Sequence, residues 1–153
     1  MSPYIRITRI PYEEPHHIHL VWEVCNGNQK WNFDYYDNAD SLIKFSEKLE
    51  VFPIHISDVF LWELGSEYPE DRWGYYFRFR TFVWNSVGHC AIQIRFNNNK
   101  ILPYLEIAEF CIKVDAAEIN RLGRLFRGFS ELNHELLVWG GGNEGLYTSE
   151  HEI

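Results

Sequence analysis

Trp73-Gly74-Tyr75-Tyr76-Phe77-Arg78-Phe79-Arg80-Thr81-Phe82-Val83-Trp84 is the stretch on which the fold turns. One parity carries Trp73, Tyr75, Phe77, Phe79 and Val83; the other carries Tyr76, Arg78, Arg80, Phe82 and Trp84. A period of two, apolar on one side and cationic on the other, describes a strand with one face on a core. Downstream, Asn85-Ser86-Val87-Gly88 turns the chain into another alternating run, His89 to Asn97. There Cys90, Ile92, Ile94 and Phe96 oppose His89, Ala91, Gln93 and Arg95. The polar loop Asn97-Asn98-Asn99-Lys100 precedes a third strand, Ile107 to Val114, with Ala108, Phe110, Ile112 and Val114 on one face. Upstream lies a short strand, Val59 to Leu64, followed by the most acidic loop of the chain, Gly65 to Arg72.

Beyond this block the period changes. Asp115 with Glu118 three residues on resembles a capping box, and Ile119, Leu122, Phe126 and Phe129 follow at helical spacing. Glu135 to Trp139 reads as a last strand. Toward the N-terminus, Tyr4 to Ile10 and His17 to Cys25 alternate. Asn26-Gly27 then favours a hairpin into Lys30 to Tyr36, since both residues tolerate positive φ. Asp37 reads as the N-cap of a helix bearing Leu42, Phe45 and Leu49, with Asp40 in its first turn. The order β-β-β-α-β-β-β-β-α-β predicts an α+β fold: a largely antiparallel sheet with two amphipathic helices. Residues 1–139 are expected as a single α+β domain. The three glycines from Gly140 open what reads as a flexible acidic C-terminal tail, 140–153.

The 153 residues carry 14 basic and 22 acidic side chains, a net charge of −8, with 11 Phe, 9 Tyr and 6 Trp. An apolar fraction of 46% excludes a disordered chain. The acidic balance and the lack of a basic run argue against a nucleic-acid partner. No apolar run approaches bilayer length, so no membrane partner is expected. No secretory leader is visible. Cys25, Cys90 and Cys111 are odd in number and widely spaced, which favours reduced thiols and a cytoplasmic location.

Catalytic chemistry finds little purchase. His17 and His19 share a strand parity with Glu23 and Cys25, yet no further cluster completes a zinc set, so no metal is expected. His89 and Cys90 are adjacent in a strand and point to opposite faces, which prevents one from activating the other. Neither a Gly-x-Ser-x-Gly elbow nor a phosphate loop occurs, so no catalytic residue and no cofactor is assigned. The acidic loop offers more. Glu63, Glu67, Tyr68, Glu70, Asp71 and Trp73 mix aromatics with carboxylates, a combination suited to binding a protein. The competing reading makes Trp73 the first core residue of its strand. If the apolar parities face the helices, Arg78, Arg80, Arg95 and Lys113 form a cationic stripe. That stripe is either an anion-binding surface or, in the favoured reading, one neutralised by Glu109, the acidic loop or the tail.

Asp40-Ser41-Leu42-Ile43-Lys44-Phe45, Gly88-His89-Cys90-Ala91-Ile92-Gln93-Ile94-Arg95-Phe96, and Phe110-Cys111-Ile112 followed by Ile119, Leu122 and Phe129 carry a resemblance. In this order of elements the chain resembles small bacterial domains related to immunity proteins of polymorphic toxin systems. The resemblance spans about Leu20 to Leu132 and rests on turn and core positions, so it transfers no catalytic residue. What it implies is a cytoplasmic binding protein, without identifying the partner; taken with the net charge of −8, the expectation is a non-enzymatic protein-binding domain, in its most concrete form an immunity-like inhibitor of a basic toxin domain. Two alternatives stand beside it: a small-molecule-binding domain or unrecognised enzyme with a pocket at the sheet face, and a homodimer formed through a strand edge or aromatic patch.

Overall fold

The computed structural model describes residues 2–149. The first elements are β1 (Tyr4–Pro11), β2 (His17–Cys25), β3 (Lys30–Asn38), α1 (Ser41–Leu49) and β4 (Val59–Gly65). A 3-10 turn at Pro69–Asp71 precedes β5 (Tyr76–Val83), β6 (Cys90–Asn97) and β7 (Ile107–Val114). Then come α2 (Ala116–Phe129), β8 (Leu136–Trp139) and β9 (Gly145–Tyr147). The class is α+β, with antiparallel pairing throughout. No helix among the described residues is long and apolar enough to cross a membrane. The span expected as one domain, 1–139, is set out as two compact units: Met1–Phe52 with Ala116–Ile153, and Pro53–Asp115.

In the first unit the sheet order is β3-β2-β1-β8-β9. Alternation buries Ile18, Leu20, Trp22 and Val24 of β2 and leaves His17 and His19 outside. Both helices close the buried face. Trp22 lies 6.3 Å from Phe45 of α1 and 6.2 Å from Phe126 of α2, and those two phenyl rings stack at 4.8 Å. The buried indole N–H of Trp22 is satisfied by the Tyr35 hydroxyl at 3.0 Å. The helices meet at Gly123, where a Cβ would sit 2.6 Å from the Glu50 amide nitrogen, so only glycine permits this approach. Asn120 then donates its amide to the carbonyls of Leu49 and Phe52 at 2.8 and 2.9 Å, satisfying groups that the end of α1 leaves open.

Two expectations change in this unit. Asp37 is not an N-cap: β3 stays paired with β2 as far as His17 opposite Asn38, so Asp37 is still strand. Asp40 takes the N-cap position, without a capping side-chain bond, and burial pushes the Asp37 carboxyl up. The stretch from Gly140 is not a free tail over its described part. It turns back as β9 and pairs Leu136, Leu137 and Val138 with Tyr147, Leu146 and Gly145, covering an edge that β8 would otherwise expose. The triple glycine makes the turn: Gly140 has φ +79° beside the Pro3 carbonyl, and Glu144 accepts its N–H at 3.0 Å. Residues 150–153 of the expected tail lie outside the described residues.

The second unit is one sheet, β4-β5-β6-β7. Phe77, Phe79 and Thr81 of β5 share the buried parity with Ile92 and Ile94 of β6 and with Phe110 and Ile112 of β7. Cys90 joins them as a small buried thiol; Cys111 takes the exposed parity. β5 begins at Tyr76 because the pairing with β4 ends at Gly65 opposite Tyr76. Gly65, at φ +85°, comes so close to the Tyr75 carbonyl that a Cβ would lie 2.1 Å from it. Trp73, expected inside this strand, therefore stands before it.

Candidate interaction surface

Register places the second unit's charges in rows. Across the exposed face, Glu63, Arg78, Arg95 and Glu109 stand side by side on β4 to β7. Two arginines adjacent on neighbouring strands would repel; the Glu109 carboxylate offsets this by bridging both. Arg78 reaches Glu109 at 2.7 Å and Arg95 reaches it at 2.8 Å, while Arg95 also binds Glu67 at 2.7 Å. The Arg95 hydrogen bond, with that of Asn97, holds the Glu67 carboxyl below the usual range. Glu63 accepts from the Tyr76 hydroxyl at 2.7 Å, and burial together with that bond pushes the phenol to about 12. The stripe read from Arg78, Arg80, Arg95 and Lys113 is thus half neutralised. Arg80 and Lys113 have no carboxylate partner among the described residues.

Two loops rise from one end of this sheet. The first, Ser66 to Trp73, is closed by the Ser66 hydroxyl donating to Asp71 at 2.5 Å and by Arg72 in the left-handed region, φ +56°. The other, Asn98 to Glu106, is built by the three asparagines. Asn98 Oδ1 accepts the N–H groups of Lys100 and Glu106, and Asn98 Nδ2 donates to the Tyr104 carbonyl. Asn99, at φ +54°, donates its side-chain amide to the carbonyls of Ser66 and Trp73 at 2.7 and 3.1 Å. Asn97 donates to Glu67 at 2.7 Å. Amides can give and take at once, which lets one short side chain pin two backbones.

Between the loops lies a cleft of about 440 Å³, lined by Tyr68, Pro69 and Trp73 on one side and Asn99, Lys100, Ile101 and Leu105 on the other, with Glu67 and Asn97 also in its lining. Its lips are apolar and open: Tyr68 is 69% exposed, Trp73 47% and Ile101 79%, and in the same loop, outside the lining, Leu102 is 78% and Tyr104 67% exposed. These loops hold large apolar side chains in water although nothing in their own backbone bonding requires them there.

Of the six residues read as partner-binding, Glu67, Tyr68 and Trp73 line the cleft. Glu63 and Asp71 are engaged within the unit, and Glu70 stands exposed in the 3-10 turn. Ile101, Leu102, Tyr104 and Leu105 escaped the sequence reading. Their signal was an apolar run, Ile101-Leu102-Pro103-Tyr104-Leu105, that fits neither strand nor helix period. In the first unit, His19 bonds Asp34 at 2.8 Å and stacks on Tyr36 at 4.3 Å, while His17 faces Glu13 at 3.3 Å. These histidines do not converge: among the described residues no group of three His, Cys, Asp or Glu side chains is placed to hold a metal ion.

Fold and surface together define an α+β protein of two antiparallel sheets that carries a preformed, apolar-lipped cleft. No family model matches the chain, and no match is found among curated proteins. Among solved structures the chain is similar to the plant transcriptional regulator PBF-2, with 8% identity over 84% of this chain and 75% of that one and a TM-score of 0.48.

Proposed function

We propose that the chain is a non-enzymatic, cytoplasmic protein-binding module, and in its most concrete form an immunity-like inhibitor of a basic bacterial toxin domain. The observation that carries this reading is the pinned cleft with Tyr68, Trp73 and Ile101 held open to solvent, and Leu102 exposed next to Ile101 in the same loop. Aromatic anchors of this kind supply most of the energy of protein interfaces. The fitting partner presents an apolar side chain beside lysine or arginine, since Glu70 and Asp71 border the aromatic wall and the whole chain carries −8. Charge of that size steers association and loses its effect as salt screens it. The test is capture of a basic partner by the intact protein and by Trp73→Ala. The variant should weaken affinity by about tenfold or more, as loss of a central aromatic does. Equal affinity for both proteins, or binding of an acidic partner that salt does not touch, overturns the proposal.

A further inference from the structure

In the first unit, the turn from β8 to β9 borders a cavity of about 250 Å³. Tyr4, Arg6 and Val138 line it from the sheet, and residues 140–143 line it from the turn. Among the described residues Arg6 is the one charged side chain in this lining. It is half-buried, on the parity opposite the buried Ile5 and Ile7, and no carboxylate pairs with it among the described residues. Its register neighbour on β2, Glu23, accepts the Tyr4 hydroxyl at 2.6 Å instead, and its neighbour on β8 is Val138. The glycines contribute main chain alone to the wall. Gly141, at φ +71°, needs to be glycine; at Gly142 neither a positive φ nor a contact within 4 Å of a Cβ demands it. The N–H groups of Gly141, Gly142 and Asn143 donate to no acceptor among the described residues. The turn is nevertheless fixed. Glu144 accepts from Gly140 N–H at 3.0 Å and from Arg121 Nε at 3.1 Å, while the Tyr147 hydroxyl donates to the Asn143 carbonyl at 2.8 Å.

We infer that this cavity binds a small organic oxyanion, with its charged head at Arg6 and the glycine turn and its apolar remainder against Tyr4 and Val138. A guanidinium offers a fork of N–H donors to a carboxylate or phosphate, and main-chain N–H groups add uncharged donors that bring no counter-ion of their own. A few polar groups set in an otherwise apolar wall are what a small-ligand site requires, and the volume limits the occupant to a small molecule. The site lies wholly in the first unit and is independent of the cleft and of the partner proposed for it.

Benzoate, phenyl phosphate and the neutral benzamide, each titrated into the full chain at constant ionic strength, supply the test, read by the amide resonances of Gly141 and Gly142. A saturable shift is expected with the two anions and not with benzamide. The tighter of the two identifies the head group as carboxylate or phosphate. Arg6→Gln should weaken binding about tenfold or more, and Arg6→Lys, which keeps the charge and loses the fork, should recover part of that. Trp73→Ala leaves the shift unchanged, so the outcome here stands apart from that at the cleft. A shift that sodium chloride or benzamide reproduces, or one that Arg6→Gln retains in full, overturns the inference.

Discussion

The loops 66–73 and 98–106 stand across one cleft and use their polar residues in opposite ways. Loop 66–73 is conspicuous in sequence for its acids, yet Glu67 and Asp71 are bound to the unit's own Arg95 and Ser66. Loop 98–106 has the composition of a plain polar linker at its start, yet its asparagines do the pinning and its apolar residues reach into water. Charge was the visible feature; amide geometry is what shapes the site. A carboxylate only accepts, so it settles beside the nearest arginine. An asparagine donates and accepts, so it can fix backbone on both sides of a gap.

The largest effect should come from breaking the pin. Asn99→Ala removes two bonds to the carbonyls of Ser66 and Trp73 and leaves alanine in the left-handed region. A loss of about 2–3 kcal/mol is expected in urea unfolding, the sum of unsatisfied carbonyls and backbone strain. Asn99→Gly separates the two causes. It accepts the positive φ but restores no bond, so it should recover roughly 1 kcal/mol of that loss. If both substitutions prove neutral, the loops are not held by Asn99.

A smaller effect, with a pH signature, follows from Glu67. Its carboxyl is held low by the Arg95 hydrogen bond, so its contribution is complete above the ordinary glutamate range and disappears as pH falls through the depressed value. Glu67→Gln should cost about 1 kcal/mol at neutral pH, a modest figure because the ion pair is partly solvated. The gap between wild type and variant should close as pH falls through and below about 4, the range in which free glutamate titrates. A gap that persists unchanged through acid assigns the loss to shape instead of charge.

Much of the architecture was legible because burial writes itself into strand alternation. Phe77, Phe79, Ile92, Ile94 and Phe110 could have been placed on one face without coordinates, and Arg78 and Arg95 with Glu109 on the other. Boundaries and long-range pairings were less accessible. Trp73 has the parity of its strand, but the close approach of Gly65 to Tyr75 ends the ladder before reaching it. Asp37 sits where an N-cap could be, but the register with β2 keeps it extended. The glycines at 140–142 signal freedom of φ, which serves a hairpin as well as a loose end; only the open edge of β8 decides between them. The cleft was half visible. Tyr68 and Trp73 stood out by composition, while Ile101 and Leu102 gained meaning only once the asparagine bonds had raised their loop.

The smallest effect on folding should fall on an exposed residue at the tip of that loop. Leu102→Ser replaces a side chain that has little cover to lose, so stability should change by less than about 0.5 kcal/mol. Partner affinity should nevertheless fall, because an apolar side chain already in water gains burial only when something covers it. Glu70→Lys makes the matching change on the opposite lip: stability unaffected, association slower at low salt, and dissociation nearly unchanged. The two together separate contact from steering. Should Leu102→Ser instead destabilise the fold as much as Asn99→Ala, the exposed tip would be bearing structure, and the division of labour between the loops would be reversed.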